Sequence, residues 1–405
     1  MKDWKIKFLF LGVGQAVSIL TSSVLQIVII WYLTQATQSA IVITMATLAG
    51  YLPRGVIGLF TGVFIDRFDR KKILIISDMI IAFAALLLAF AAIGNKIPVG
   101  LIFLILCIRS VGAAFHAPAL NAVVPTIVPK EQLARCAGIT QGFETVSLII
   151  SPALAAILYN VWSMSAIILL DVLGAAVAIL IICLISIPSN VKQKSKIHLL
   201  EDTKEGFSII RSKGMFTLLV VSALYAFIYF PIGSMYPFIT MNYFGGSVAD
   251  SSFVEIIFSA GTLMGAFLLG IVGKKVQKIE FIAMSIGIYG LGTMLTGMLL
   301  PRHINIFIIL SGIMGITIPF FHGLRTAIFQ TVIPNEYLGR VLSLVSSVSL
   351  FAAPLGLLIG GGISEKAGIQ NCFLFCGILA ILLAVVTLIK AKAAKKEELI
   401  KTSLD

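Results

Sequence analysis

Twelve apolar runs, each long enough to cross a bilayer, recur along this 405-residue chain, and they restrict its fold more tightly than anything else in it. A hydrocarbon core about 30 Å thick needs about 20 residues of helix to span it. Inside that core every backbone N–H and C=O must be paired within the protein, so runs of this length are read as helices. They fall at about 8–33, 40–64, 73–94, 98–120, 132–158 and 163–187, then at about 215–244, 249–273, 279–300, 304–328, 337–363 and 369–390. A composition of 59% hydrophobic and 12% charged residues agrees, because soluble domains carry about half and a quarter respectively. The expected class is an all-α integral membrane protein with twelve transmembrane helices. Residues 8–33 follow Lys2, Lys5 and Lys7 without a small-residue cleavage pattern, so they are read as the first span and not as a removable signal.

The net charge of +12 is dispersed in short clusters, unlike the single stripe that nucleic acid would require. Of the 30 Lys and Arg, three (Lys96, Arg302, Lys366) fall at the opposite ends of the spans and three (Arg54, Arg109, Arg325) within them, leaving 24 on one side. Cationic loops mark the cytoplasmic face. Both termini are therefore expected in the cytoplasm of a multi-pass protein of a bacterial-type inner membrane. The densest cluster ends the stretch GLFTGVFIDRFDRKK, Gly58 to Lys72, where six charges (Asp66, Arg67, Asp69, Arg70, Lys71, Lys72) occur in seven residues.

A repeat divides the chain. Pro129-Lys-Glu-Gln-Leu-Ala-Arg135 returns 205 residues later as Pro334-Asn-Glu-Tyr-Leu-Gly-Arg340, and both copies join an outgoing to an incoming span on the same side. Two pseudo-symmetric six-helix halves in parallel orientation follow. The expected boundaries are 1–187 for the N-terminal half, 188–214 for a cytoplasmic linker, 215–391 for the C-terminal half and 392–405 for a basic tail. Within the linker, Ile197, Leu200, Phe207 and Ile210 give an amphipathic pattern suited to a helix on the membrane surface.

Ionisable residues inside a membrane are costly and so are functional candidates. Arg109 and Glu144 sit at similar depth in spans four and five, Glu144 about 20 Å from the inner end. They are expected to pair, either as a static tie between helices or as part of proton coupling. Asp171 in span six is a further candidate, for coupling or for a hydrogen bond to a neighbouring helix. Asp78 and Glu255, each close to a span end, read as structural. Span seven concentrates aromatic residues, with Tyr225, Tyr229 and Tyr236 near one face and Pro231 and Pro237 interrupting the helix. These tyrosines, with Gln15 in span one as a polar contact, form the candidate substrate surface; packing in the core or against lipid is the other reading. The four histidines are placed in loops or at span ends and given no role, and the five cysteines read as packing residues. Neither a phosphate-binding Gly-x-x-x-x-Gly-Lys-Ser/Thr loop nor a nucleophile elbow is present. An ion gradient is the expected energy source, with no cofactor, no metal and no enzymatic activity.

The pattern Gly62-x-x-x-Asp66-Arg67-x-x-Arg70-Lys71-Lys72 resembles the loop between helices 2 and 3 of the major facilitator superfamily. Asp69, where most members have glycine, makes it similar to the branch of Mef-type macrolide exporters and enterobactin exporters. Gly14-Gln-Ala-Val-Ser18, Ile108-Arg-Ser-Val-Gly112, His116-Ala-Pro-Ala-Leu-Asn-Ala-Val123 and Tyr337-Leu-Gly-Arg340 extend the resemblance. Ser151-Pro152 stands where exporters of the superfamily often carry Gly-Pro, and Pro152 is expected to bend its helix. The resemblance implies a monomeric major facilitator fold that moves a macrolide-like or other lipophilic drug against protons by alternating access. It also implies a gating role for Gly62, Asp66, Arg67 and Arg70, with Asp66 facing the helix start at Asn335 to Leu338. Export of a siderophore or peptide, or a non-transporting sensor or lipid scaffold, are the other readings.

Overall fold

A computed structural model describes residues 2–94, 96–187, 207–212, 214–272 and 278–402. Its long helices are α1 (Lys2–Thr37), α2 (Ala40–Arg67), α3 (Arg70–Ala92), α4 (Val99–Ile127), α5 (Leu133–Val161) and α6 (Met164–Leu184), then α7 (Phe216–Ser234), α8 (Val248–Val272), α9 (Lys278–Met298), α10 (Ile304–Val332), α11 (Asn335–Ala367) and α12 (Ile369–Thr402). All twelve are long and apolar enough to cross a membrane, and no strand occurs among the described residues. The expected spans are recovered within a few residues at most ends. α12 runs on to Thr402, so the backbone of the expected basic tail continues the last helix. The surface helix expected within the linker falls largely outside the described residues.

The chain folds as two compact units, Met1–Thr37 with Met45–Ile197, and Gln38–Thr44 with His198–Asp405. In the first, α1 packs on α5 and α6, and α3 packs on α4 and α6. Leu11, Ile65, Leu74, Leu120, Val123 and Ile182 form a core next to the start of α3. Asp69, the departure from the superfamily's glycine, is the N-cap of α3, accepting from the N–H groups of Lys71 and Lys72 at 2.8 and 3.3 Å. An aspartate there satisfies donors that the first helical turn leaves unpaired.

In the second unit α8 packs on α10, α9 on α12, and α7 on α11. Close approach of α8 and α10 depends on glycine: a Cβ on Gly261 would lie 2.1 Å from the Gly312 carbonyl oxygen, and one on Gly265 at 2.1 Å from that of Ile316. Small residues in this pattern let backbones touch where helices meet in membranes. The short segment 38–44 joins this unit through Ser39, which donates to both carboxylate oxygens of Glu365 at 3.1 Å. The Ile41 N–H donates to the same carboxylate at 3.3 Å.

Pro231 does not interrupt span seven; it lies inside a continuous α7. The break comes at Met235, followed by a single turn at Tyr236–Phe238 and a wide turn at Ile239–Tyr243 closed by Phe244 N–H on the Ile239 carbonyl at 3.0 Å. Pro237 accounts for the position, because it lacks the N–H that would donate to Gly233 four residues earlier. Pro152 lies within an unbroken α5.

Candidate functional site

The first unit gathers its buried charge along one face of α4. Arg109 and His116 are seven residues apart, which on a helix places them two turns and about 10.5 Å apart with nearly the same heading. Between them Gly112 lets α3 come close: an added Cβ there would sit 3.1 Å from the Ser77 carbonyl oxygen and 2.8 Å from Ile81. That approach delivers Asp78 to α4.

At the first level Arg109 donates through Nη1 to the Asp171 carboxylate of α6 in a buried ion pair. Asp171 is 0% exposed and Arg109 8%, so neither charge can rely on water. α1 completes the shell. Ser22 donates to Asp171 Oδ1 at 2.7 Å and accepts from Arg109 Nη2 at 3.4 Å, while the Thr21 hydroxyl stands 3.5 Å from the same oxygen. Thr21 fits because position 174 on α6 is glycine, where a Cβ would lie 2.2 Å from its hydroxyl oxygen. Pairing and hydrogen bonds are what make two buried charges tolerable; removing either partner strands the other. Ser110, beside Arg109, ties α4 to α2: it donates to the Gly50 carbonyl at 2.8 Å and accepts from the Arg54 N–H at 2.9 Å. A side chain thereby bridges the very helical step that spans Pro53.

The sequence expectation paired Arg109 with Glu144. The structure gives Arg109 another partner, Asp171, and the Glu144 side chain lies outside the described residues. Depth fixes height in the membrane but not which helices are neighbours, so Asp171 on α6 was not singled out as the partner.

At the second level His116 Nε2 lies 3.3 Å from Asp78 Oδ1. His116 is well inside α4 and His322 inside α10, whereas both were expected in loops or at span ends; only His303, at the N-cap of α10, stands where expected. His198 lies outside the described residues. The spacing of Arg109 and His116 by two full turns was the signal available in the sequence.

Gln15 lines a narrow, surface-open crevice of about 20 Å³ together with Phe8, Leu11, Ile19, Leu120 and Phe143. Its amide is buried, and neither the nitrogen nor the oxygen meets a hydrogen-bond partner among the described residues. The lining, apolar with one unpaired amide, has the chemistry of a small-molecule site, but in this state the crevice has room for no more than about one water.

Of the gating candidates, Arg70 is the one whose side chain is described. It donates to the Ala122 carbonyl at 2.8 Å, and its neighbour Lys71 donates to the carbonyls of Cys183 and Ile185 at 2.9 and 2.8 Å. The latter are the open carbonyls at the C-terminus of α6, where a cation is favoured. The side chains of Asp66 and Arg67 lie outside the described residues, and the backbone of both, with that of Gly62, belongs to α2.

In the second unit Tyr225 stacks on Tyr229 (5.8 Å between centroids) and on Phe321 (3.9 Å), and both tyrosines meet Tyr289. Arg325 covers the Phe321 ring at 5.4 Å, within the range of a cation–π contact. Tyr236 lies within electrostatic reach of Tyr225, Tyr229 and Tyr289, but its ring packs elsewhere. The break at Met235 turns it toward Phe258, Phe307 and Phe373. Tyr225 and Tyr236 are buried and Tyr229 half-buried, so the surface expected from helical spacing is divided between two core clusters. The hydroxyls of Tyr225 and Tyr289 are buried with no hydrogen-bond partner among the described residues.

Two stretches, residues 11–243 and 218–404, match the family model described as Major Facilitator Superfamily. Over 387 residues the chain is 44% identical to macrolide efflux protein A of Streptococcus pyogenes, covering 95% of this chain and 96% of that protein. It is also 44% identical over 322 residues to a macrolide efflux protein A of Enterococcus faecalis, covering 79% of this chain and 99% of that one. Among solved structures, the nucleoside transporter NupG superposes with a TM-score of 0.73 over 95% of this chain and 98% of that one. At 16% identity that likeness speaks for the fold alone.

Proposed function

We propose that this chain, which belongs to the major facilitator superfamily, is a drug exporter that moves macrolide-like or other lipophilic compounds out of the cell in exchange for protons. Membership makes it a multi-pass membrane transporter and not an enzyme. The observation that carries the substrate class is the 44% identity, over nearly the whole of both chains, to macrolide efflux protein A.

The coupling step rests on the first unit. Asp171 is the described carboxylate buried against a cation, and Ser22 bridges both charges. A proton delivered to Asp171 cancels its charge and releases Arg109; loss of the proton restores the pair. Alternating access then needs only that the two states favour opposite openings. Glu144 remains the other acid on which this exchange can turn. Asp66, Arg67 and Arg70, with Gly62, serve the gate at the end of the bundle where α3 begins, in the cytoplasm. Substrate contacts fall to the Gln15 amide in the first unit and to the half-buried Tyr229 in the second, with Tyr225 and Tyr236 supporting them from the core.

Everted vesicles with an imposed pH gradient test this directly. Accumulation of a radiolabelled macrolide that collapses on adding a protonophore is the expected result. Accumulation indifferent to the protonophore would reject the proton, and no accumulation across a panel of macrolides and lipophilic dyes would reject export.

A further inference from the structure

We propose that Asp78 and His116 form a second proton-binding site, separate from Arg109 and Asp171 and two helical turns nearer the end of the bundle where α3 begins. The carboxylate and imidazole face each other at 3.3 Å, from α3 and α4, with side chains 3% and 14% exposed. Asp78 Oδ2 and His116 Nε2 are both buried with no hydrogen-bond partner among the described residues. A static structural pair of this burial is expected to have its polar atoms satisfied; here Asp78 Oδ2 has no partner and His116 Nε2 meets Asp78 Oδ1 without hydrogen-bond geometry, which points to a proton or a changing partner.

The charge balance gives the pair its purpose. Arg109 and Asp171 cancel each other, whereas an ionised Asp78 beside a neutral His116 gives the pair itself a net negative charge, with Arg54 as the cation acting nearby. One proton on the pair, held as imidazolium facing carboxylate or as carboxylic acid facing imidazole, neutralises the site; its return to water restores the negative charge. No other reactant is needed. The charged groups that act on the pair come from three directions: Asp171 on α6 acts on Asp78, Arg54 on α2 acts on His116, and Arg109 lies on α4 itself, already held by Asp171. α1 faces this region with the hydroxyls of Thr21 and Ser22, directed at Asp171. Histidine is suited to such a station because its proton is exchanged in the physiological range unless its surroundings forbid it. With Arg109 and His116 on one face of α4, the site lies between that end of the bundle and the Arg109–Asp171 pair. Its use in transport rests on the proton coupling proposed above; its existence as a proton site does not.

The experiment is nitrogen-15 NMR of the full chain in lipid nanodiscs, labelled on its four histidines, with the His116 signal assigned by its loss in His116→Gln. A titration is followed in wild type and in Asp78→Asn. The expected result is a His116 midpoint displaced by about one pH unit or more on removing the carboxylate charge, together with a shifted pH profile of gradient-driven transport in His116→Gln. A midpoint that does not move in Asp78→Asn overturns the site, even if wild-type export remains proton-driven. A midpoint that moves supports it, even if the exported compound is not a macrolide. Should Asp78→Asn fail to elute as a monodisperse protein, infrared difference spectra across pH compare wild type with His116→Gln; an unchanged carboxyl band overturns the proposal and a displaced one upholds it.

Discussion

The helices that precede the repeated Pro-x-Glu-x-Leu-x-Arg segment, α4 and α10, hold comparable places in the two units and bury opposite chemistry. On α4, Arg109 and His116 each face a carboxylate from another helix, Asp171 and Asp78. On α10, Phe321 and Arg325 lie against Tyr225 and one another, and among the described residues Arg325 meets a ring and no carboxylate. The two helices stand in like positions of the sequence repeat and differ in what they hold. Charge paired across helices can change state with one proton; stacked rings cannot, and of these Tyr225 and Phe321 are buried while Tyr229 is half-buried. On the proposed function, the first unit handles the ion and the second supplies the aromatic contact, through Tyr229, for a drug.

That division can be broken by substitution. Arg109→Ala leaves Asp171 buried without its cation and should destabilise the protein by about 3–5 kcal/mol, seen as a lowered thermal midpoint in detergent. Adding Asp171→Asn should recover part of the loss. Strict additivity would show that the two do not interact.

Tyr225→Ala should cost about 3 kcal/mol, at the lower end for removing a buried aromatic ring, because Tyr229 and Tyr289 can close on the gap. Tyr225→Phe removes a hydroxyl that has no partner and should leave the midpoint nearly unchanged. A large loss in the phenylalanine variant would mean that the hydroxyl is bonded after all, and would weaken the contrast between the units.

Gly261→Ala forces a methyl into the α8–α10 contact, where 2.1 Å is available, and should cost about 1–3 kcal/mol. The smallest effect is expected at Asp69. Asp69→Ala removes the α3 cap and should lower stability by about 1 kcal/mol; Asp69→Asn, which still accepts hydrogen bonds, should recover most of it. If Asp69→Gly equals the aspartate in both stability and transport, the residue matters only as a cap that the superfamily's usual glycine also provides.

The twelve helices were legible because a run of 20 apolar residues has few other fates in a chain of this composition. Asp69 and the Pro237 break are equally local: each acts through backbone groups within four residues of itself. The partner of Arg109 was not legible. Which carboxylate reaches it depends on the packing of α4, α6 and α1, and that packing is set by small positions such as Gly174, whose missing side chain admits Thr21. The same holds for His116, whose role appears only once Gly112 has let Asp78 approach from α3. The tyrosines show the same limit, since helical spacing could not foresee the break at Met235, beyond which the Tyr236 ring packs on Phe258, Phe307 and Phe373.

The central claim is that a buried acid of the first unit carries the exchanged proton. Purified protein in liposomes, given an imposed pH gradient and a labelled macrolide, tests it in wild type, Asp171→Asn and Glu144→Gln. The account predicts that Asp171→Asn loses uphill, gradient-driven transport while downhill movement of the drug persists. Full uphill transport in Asp171→Asn and in Glu144→Gln alike would contradict it.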